Sequence, residues 1–165
     1  MTDTTTPRLE YTFAMIKGAS VARGHTDNIL TNISRRGYSI LWAKRFDFTP
    51  ETLREFYAEH VGHPYWANIE KVMMAPEGNV AFIAQPSVFV RNPAISTCTT
   101  FRTIVGESSN PGMCGPTTIR GIFGGCWWGG DPSVYADNAI HASDSDEAVT
   151  REIGLIYPEG VFLNG

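Results

Sequence analysis

Long apolar runs and clusters of basic residues are both absent from this 165-residue sequence. No apolar stretch approaches the roughly 20 residues that a membrane-spanning helix needs, and the polar start from Thr2 to Arg8 has no secretory hydrophobic segment. Lysine and arginine occur in nothing longer than a pair and the formal net charge is -4, so the electrostatic signature of nucleic-acid binding is missing. We expect a soluble cytoplasmic protein with neither a membrane nor a specific nucleic-acid partner.

Cysteine motifs and the common nucleotide-binding loops are also lacking. Cys98, Cys114 and Cys126 form no C-x-x-C pair, which argues against a disulfide framework or a zinc site. The sequence has no G-x-x-x-x-G-K-[ST] loop, no G-x-G-x-x-G after a strand, and neither H-R-D nor D-F-G. If a nucleotide binds, side chains rather than a glycine-rich loop must hold it.

The length and an apolar content of 42% fit one domain of ordinary size. Such a domain is large enough to bury a core without disulfides or structural metals. We assign residues 11–165 to a single domain and residues 1–10 to a flexible N-terminal segment.

Strand and helix patterns alternate along the chain. Strands are predicted at Tyr11–Ile16, Tyr38–Phe46, Asn79–Gln85 and around Ala139-Ile140. Helices are predicted around Ile29–Ile33, after the Thr49-Pro50-Glu51 cap, over Tyr65–Met74 and Thr97–Val105, and near the C-terminus. The glycine- and proline-rich stretches Gly106–Pro116 and Gly121–Pro132 are predicted loops. This order predicts an α+β fold with helices on one face of a mostly antiparallel sheet, and the βαββαβ ferredoxin-like pattern fits best.

One histidine stands where an apolar stretch meets a helix start. His141 follows Ala139-Ile140, and Ser143 or Ser145 is suited to cap the helix that follows. A neutral imidazole is a competent nucleophile toward phosphorus near neutral pH. Glu152 lies in that helix, from which its carboxylate can reach back toward the ring. By spacing alone, His141 fits a structural role as well as a catalytic one.

Several segments in order resemble the nucleoside diphosphate kinase family. The resemblance covers most of the chain from Tyr11 to Tyr157, and its most specific part is Asn138 to Ser145. The other matching segments are Thr12–Lys17, Arg23-Gly24 to Arg36-Gly37, Gly106-Glu107-Ser108, Asn110-Pro111, Thr118-Ile119-Arg120-Gly121 and Glu152-Ile153. The resemblance implies a kinase that passes the γ-phosphate of a nucleoside triphosphate to a nucleoside diphosphate through a phosphohistidine on His141, in a ping-pong cycle.

The resemblance also implies roles for the surrounding residues. Glu152 and Ser143 would orient His141, Lys17 would lie near the ribose and the transferring phosphate, and Asn138 would touch the sugar. The positions matching phosphate contacts are Tyr57, Arg102, Ser108 and Arg120. Tyr65 falls where the family usually stacks a phenylalanine on the base, with Ile69 as its apolar neighbour. Mg²⁺ would be carried by the nucleotide phosphates without a dedicated metal site, and the chain would form a dimer-based homo-oligomer, either a tetramer or a hexamer.

Some positions depart from the family pattern. Where the family reads Lys-Pro-Asp, this chain has Lys17-Gly18-Ala19, so we expect Lys17 to be held more loosely. The family's Arg-Gly-Asp becomes Arg120-Gly121-Ile122, its usual threonine is Ser108, and Phe56 replaces a common histidine. The stretches from Gln85 to Arg102 and from Gly121 to Asp137 are longer than usual and are expected to form surface loops.

Two other functions stay open on the sequence. One is a catalytically weak or inactive ferredoxin-like nucleotide-binding or scaffold module, suggested by Gly18-Ala19 and Ile122. The other is a histidine phosphocarrier fed by a partner protein, which His141 alone would satisfy. Lys17 and the two arginines argue against a carrier, because a carrier needs no nucleotide clamp.

Overall fold

Four antiparallel strands make up the sheet in the described part of the chain. The computed structural model describes residues 8–125 and 137–163. The strands are β1 (Thr12–Ile16), β2 (Tyr38–Phe46), β3 (Asn79–Pro86) and β4 (Ile140–Ala142), in the order β2-β3-β1-β4. Every neighbouring pair is antiparallel, so the predicted ferredoxin-like α+β fold is confirmed.

The register of the sheet brings distant parts of the sequence together. In the pairing of β1 with β4, Met15 lies opposite His141, and Ile16 lies opposite Ile140. Beyond the end of β1, the Lys17 amide donates to the carbonyl of Ala139 at 2.9 Å. The pairing of β1 with β4 therefore fixes where His141 and Lys17 lie relative to each other.

Seven α-helices surround the described sheet. They are α1 (Gly18–Ala22), α2 (Thr26–Arg35), α3 (Pro50–Phe56), α4 (Trp66–Met73), α5 (Thr97–Val105), α6 (Ile119–Phe123) and α7 (Asp146–Ile156). Short 3-10 turns lie at Ala58–His60 and Pro111–Met113. The sequence prediction missed α1, and it missed α6 because that helix is only five residues long and ends at the start of a glycine-rich stretch. Among the described residues, no helix is long and apolar enough to cross a membrane.

The core lies on both faces of the sheet rather than on one. Side chains alternate between faces along a strand, and in β1 Phe13 and Met15 join one apolar cluster whereas Ala14 and Ile16 join the other. Helices α3, α4 and α7 contribute to the first cluster, and α2 and α6 to the second. The expectation of helices on one face was wrong, because the uninterrupted apolar run of β1 needs cover on both sides.

Residues 8–10, assigned to the flexible N-terminal segment, contact the domain. The Leu9 amide donates to Asp146 at 3.2 Å, and Thr97 donates to the Leu9 carbonyl at 2.8 Å. Glu10 forms an ion pair with Arg91. The rest of that segment, residues 1–7, lies outside the described residues, as do Cys126 and most of the predicted surface loop between Gly121 and Asp137.

Candidate active site

His141 is held by a carboxylate at one of its ring nitrogens. It projects from β4 and its side chain is 16% exposed. Its Nε2 lies 2.8 Å from Oε2 of Glu152, and the Ser143 hydroxyl donates to the same oxygen at 2.6 Å. Ser143 is fully buried and also lies within hydrogen-bonding distance of the Phe13 carbonyl, at 3.3 Å. With Nε2 engaged, Nδ1 is the ring nitrogen free to react.

The carboxylate of Glu152 is buried but stays in its charged form. It is presented by α7, whose N-cap Ser145 accepts a hydrogen bond from the Ala148 amide at 3.1 Å. Burial by itself raises the pKa of Glu152. The charge of His141, the hydrogen bonds from His141 and Ser143, and the charge of Arg151 outweigh burial and leave that pKa below its usual value. The site therefore keeps a permanent negative charge behind the imidazole.

Three aromatic rings surround the imidazole. Phe56 and Tyr57 meet it edge-on, with centroid distances of 5.0 and 5.8 Å, and Phe13 lies at 6.2 Å in a tilted arrangement. These edge-on geometries are the favoured ones for aromatic pairs. Phe56, which replaces a common family histidine, thus forms an apolar wall that helps to fix the ring.

Lys17 lies at the end of β1, and its side chain is fully buried. Only 1% of the residue is exposed. Its backbone carbonyl accepts from Ser20 and Val21 at 2.8 and 3.1 Å, in the first turn of α1. Burial, reinforced by Arg120, lowers the pKa of Lys17 well below its usual value, while Asp137 opposes this. The Lys17 side chain is therefore enclosed by the fold, although Gly18-Ala19 replaces the family's Pro-Asp.

The two predicted phosphate-binding arginines are anchored to backbone carbonyls. Arg120, which is buried, donates to Gly106 at 3.0 Å, to Ser108 at 2.9 Å and to Ile140 at 3.1 Å. Arg102 donates to Ala142 at 3.0 Å. These bonds fix both guanidinium groups beside β4 before any ligand arrives.

The loop after α5 places a different serine from the expected one beside the cavity. The Ser108 hydroxyl accepts from the Asn110 amide at 3.0 Å, in a local turn. Ser109 lines the cavity instead, and its carbonyl accepts from Nδ2 of Asn138 at 3.2 Å. The doubled serine in the sequence was the available signal for Ser109. Asn138 is 2% exposed, and its Oδ1 has no hydrogen-bond partner among the described residues.

Tyr65 lies beside two histidines, whereas Ile69 lies in the core. The Tyr65 hydroxyl is 3.1 Å from Nδ1 of His60, and its ring stacks on His63 with a centroid distance of 5.1 Å. Ile69 is fully buried. Ile69 lies one turn beyond Tyr65, where the inner face of α4 packs against the core cluster, and its contact with the nucleotide stays a prediction.

A cavity of about 230 Å³ connects most of these side chains. Its lining includes the predicted residues Lys17, Tyr57, Arg102, Arg120, Asn138, His141 and Glu152. Other lining residues that were not predicted are Phe56, Glu59, His60, Glu107, Ser109, Asp144 and Arg151. No general sequence pattern marks these residues, because they come from five separate segments that only the fold brings together. Among the described residues, no group of three or more His, Cys, Asp or Glu side chains is arranged to hold a metal ion.

The fold and the site together define a class of protein. A ferredoxin-like sheet presents a carboxylate-held histidine to a cavity lined by a buried lysine and two anchored arginines, which suits transfer of an anionic group through the imidazole. A family model described as nucleoside diphosphate kinase matches residues 10–161. The chain belongs to the nucleoside diphosphate kinase family.

Individual relatives agree with this assignment. The chain is 32% identical over 152 residues to a nucleoside diphosphate kinase of Bacillus thuringiensis, with 92% of this chain and 90% of the relative covered. It is 31% identical over 157 residues to that of Deinococcus radiodurans, with 94% and 100% covered. The crystal structure of the Aquifex aeolicus nucleoside diphosphate kinase superposes with a TM-score of 0.69 at 28% identity, over 90% of this chain and 94% of that one.

Proposed function

We propose that the protein is a nucleoside diphosphate kinase that carries the γ-phosphoryl group on Nδ1 of His141. The observation that carries this proposal is the pairing of Nε2 with Glu152, at 2.8 Å, on the wall of a cavity that also holds Lys17, Arg102 and Arg120. One nitrogen is thereby oriented and charge-compensated, and the other is left to attack. Cationic groups stand where a polyphosphate would bind.

The transfer needs no external base. Nδ1 of the neutral imidazole attacks the γ-phosphorus, the N–P bond forms, and the bond to the bridging oxygen breaks, with its electron pair leaving on the nucleoside diphosphate. The ring, still protonated at Nε2, becomes positively charged, and the Glu152 carboxylate stabilises that charge. A second nucleoside diphosphate then takes the phosphoryl group by the reverse step.

The buried cations supply the clamp for the phosphates. Lys17 has a lowered pKa because burial disfavours its ammonium form. The negative charge of a bound polyphosphate favours that form again, so nucleotide binding and Lys17 protonation reinforce each other. Arg102 and Arg120 are already aimed by their carbonyl bonds, so little reorganisation is needed when charge develops on the transferring group. Tyr57 also lines this cavity, and its hydroxyl, which donates to Sδ of Met73 at 3.9 Å, is a candidate further donor to the phosphates.

The sugar and the base are recognised by separate groups. Asn138 lines the cavity, and its buried Oδ1 has no hydrogen-bond partner in the described part of the chain, which suits a ribose hydroxyl donor. The Tyr65 ring offers an aromatic face for base stacking, which tolerates any base because every base has a π-face. Ile69 belongs to the core cluster against which Tyr65 packs, and so helps to position that ring for the base.

Magnesium is assigned to the nucleotide rather than to a protein site. Glu107 and Asp144 in the cavity lining are hard oxygen ligands suited to hold the ion through its waters. When bound with the nucleotide, Mg²⁺ neutralises phosphate charge.

The mechanism predicts an acid-labile phosphoenzyme. Incubation with γ-labelled ATP is expected to label the wild type at about one site per chain, and addition of unlabelled GDP should remove the label. A His141→Ala variant should remain folded but take up no label, because the nucleophile is gone. Phosphate exchange between ATP and GDP by that variant would contradict the mechanism.

A catalytically weak nucleotide-binding module is the second candidate. Its support is Ile122, which is 47% exposed at the position where the family has an acidic residue. Nucleotide binding by the wild type without phosphoenzyme formation would favour it. A phosphocarrier would instead be labelled only by a phosphorylated partner protein, and not by ATP.

We further propose that the protein acts in the cytoplasm as a dimer-based homo-oligomer, either a tetramer or a hexamer. Cys98 and Cys114 are free thiols, which suits a reducing compartment. Strand β2 lies at an edge of the described sheet, where a strand of a second copy can be added. Light scattering of the purified protein measures the number of copies.

A further inference from the structure

Asn79 is a fully buried polar residue whose side chain joins three parts of the fold. It lies at the start of β3 and is 0% exposed. Its Nδ2 donates to the carbonyls of Met73 at 2.7 Å and Phe46 at 3.2 Å, at the ends of α4 and β2. Its Oδ1 accepts from the Gly18 amide at 2.8 Å. All three hydrogen bonds require the same orientation of the side-chain amide, with Nδ2 facing the two carbonyls and Oδ1 facing the Gly18 N–H.

The bond to Gly18 fixes the peptide group that follows Lys17. The carbonyl side of that peptide accepts from Ser20 and Val21, and the N–H side donates to Asn79. Both polar groups of the Lys17–Gly18 peptide are therefore engaged. Because the Lys17 side chain begins one bond earlier, its starting point and direction depend on this peptide.

Backbone conformation does not explain why glycine replaces the family proline at this position. Lys17 has φ -74° and ψ 147°, which is the region favoured before a proline. Gly18 is the first residue of α1, where proline is common. Two contacts exclude proline at this position. Proline has no N–H to donate to Asn79. In addition, a Cβ on residue 18 would lie 2.9 Å from Cβ of Ala75 and 3.1 Å from the carbonyl of Val72.

We infer that Asn79 is a positioning residue for Lys17, and that its bond to the Gly18 amide replaces the rigid Lys-Pro turn of the family. This inference rests on the proposed function only in that Lys17 acts on the transferring phosphate. Asn79 itself touches no reacting group. Restoring the family residue, proline, should harm this chain because it removes the donor and leaves a buried oxygen without a partner.

The first test compares two substitutions at residue 18. Gly18→Ala adds the Cβ but keeps the N–H, whereas Gly18→Pro adds bulk and removes the N–H. Combining each with Ala75→Gly relieves the contact with Ala75. In that background the proline variant is expected to lose about ten- to a hundredfold in kcat per active site, because a displacement of a reacting group by about 1 Å has an effect of this size. The alanine variant is expected to lose severalfold at most. Equal kcat values for the two would overturn the inference.

The second test changes Asn79. Asn79→Leu keeps the branch at Cγ but removes all three bonds. Asn79→Asp, as the neutral acid, keeps an acceptor for Gly18 and one donor for Met73, so it is expected to retain most of kcat. Thr97→Val is the matched control, because it removes the hydrogen bond of another buried side chain, from Thr97 to Leu9, which involves neither Lys17 nor Gly18.

Active sites are counted by phosphoenzyme stoichiometry, so that loss of folded protein is separated from loss of rate. Asn79→Leu should reduce kcat per labelled site about tenfold or more, with a smaller change in KM, whereas Thr97→Val should lower only the thermal midpoint. A Leu variant that lowers the midpoint but keeps kcat would make Asn79 merely structural and overturn the inference. If the wild type forms no phosphoenzyme, the proposed function fails instead, and that outcome is visible before any variant is compared.

Discussion

At the scale of single residues, Glu152 combines burial with a retained negative charge. Its two carboxylate oxygens contact His141, Ser143 and Arg151. The resemblance predicted that Glu152 and Ser143 orient the imidazole, and the geometry places both within hydrogen-bonding distance of one shared oxygen. In the proposed cycle this charge matters most when the ring becomes positive, so we expect the carboxylate to stabilise the phosphorylated ring more than the free one.

Replacing Glu152 by glutamine tests that charge. Glu152→Gln keeps the shape and removes the charge, and the rate of phosphoenzyme formation from ATP is expected to fall about ten- to a hundredfold, since a hydrogen bond to a charged group contributes about 1.5–3 kcal/mol. Rapid-quench measurement of labelled enzyme gives this rate. Ser143→Ala, which keeps the carboxylate charged, is the matched variant and should lose less. An unchanged rate in the glutamine variant would show that the carboxylate only orients the ring.

Residue-level prediction succeeded where the position in a strand or at its end fixes the environment. Lys17 and His141 belong to paired strands, so a correct register is enough to bring them together. The surroundings of Ile69 and Ser108 were not predictable, because they depend on helix orientation and on one extra serine in a loop. Asn79 carried no signal at all, since its importance comes from three carbonyl and amide groups that are distant in sequence.

At the scale of secondary structure, α7 shows how a local capping signal serves the site. Ser145 caps the helix through the Ala148 amide, and Asp146 and Glu147 follow in the first turn, where negative charge is favoured. The sequence left Ser143 and Ser145 as alternative caps. The structure separates them: Ser145 caps the helix, and Ser143 contacts Glu152.

Loss of this cap should destabilise the domain. Ser145→Ala is expected to reduce the free energy of unfolding by about 1 kcal/mol, because a helix N–H loses its acceptor. Urea titration followed by circular dichroism should show a lower midpoint at an unchanged slope. Thr150→Ala, whose hydroxyl bonds only within the same helix, should change stability by less than about 0.5 kcal/mol. Equal losses in the two variants would argue against the cap.

Strands β1 to β3 and the longer helices were predictable, and the short helices were not. The sequence patterns located β1, β2, α5 and all but the last residue of β3, because each has a recognisable apolar pattern. Helix α1 and helix α6 have five residues each, too few for a 3.6-residue periodicity to emerge. Strand β4 has three residues, so its apolar pair Ala139-Ile140 indicated its place but not its bounds.

At the scale of the whole molecule, the segment after α7 is bonded to the far edge of the sheet. The Tyr157 hydroxyl donates to the Trp42 carbonyl at 2.6 Å, beside the irregularity in β2 between Leu41 and Lys44. Lys44 lies 4.4 Å from the centre of the Tyr157 ring and pairs with Glu159 at 3.1 Å. The C-terminal part of the domain therefore depends on a neutral phenol.

Alkaline pH should weaken this arrangement. Burial, with a contribution from Glu159, raises the pKa of Tyr157, and burial raises the pKa of Tyr38. Both pKa values are higher in the folded state than in the unfolded chain, so their stabilisation is complete below about pH 10 and is lost as the pH rises above it. The free energy of unfolding should fall there by up to about 1.4 kcal/mol per pH unit for each tyrosine, until the pH passes the folded pKa of that tyrosine.

Urea titrations between about pH 8.5 and 11.5 measure this slope. Tyr157→Phe should reduce the pH slope of the free energy of unfolding by the contribution of one proton. Tyr38→Phe should reduce that slope in the same way and independently. The Phe variant at 157 also loses the bond to Trp42 and should start from a lower stability at neutral pH. A decline as steep as that of the wild type would contradict the assignment of Tyr157 to it.

The pairing of β1 with β4 has a consequence for how such a chain can change in length. Met15 lies opposite His141, and Lys17 follows Met15 by two residues. The spacing between the nucleophile and the lysine is therefore set by the number of residues between them along the paired strands. One inserted residue in either strand would turn every following side chain to the opposite face. Insertions elsewhere leave this spacing unchanged. The two stretches that are longer than usual in this chain, from Gln85 to Arg102 and from Gly121 to Asp137, both lie outside β1 and β4. We therefore expect insertions to be tolerated in the connecting loops of this protein, and not within β1 or β4.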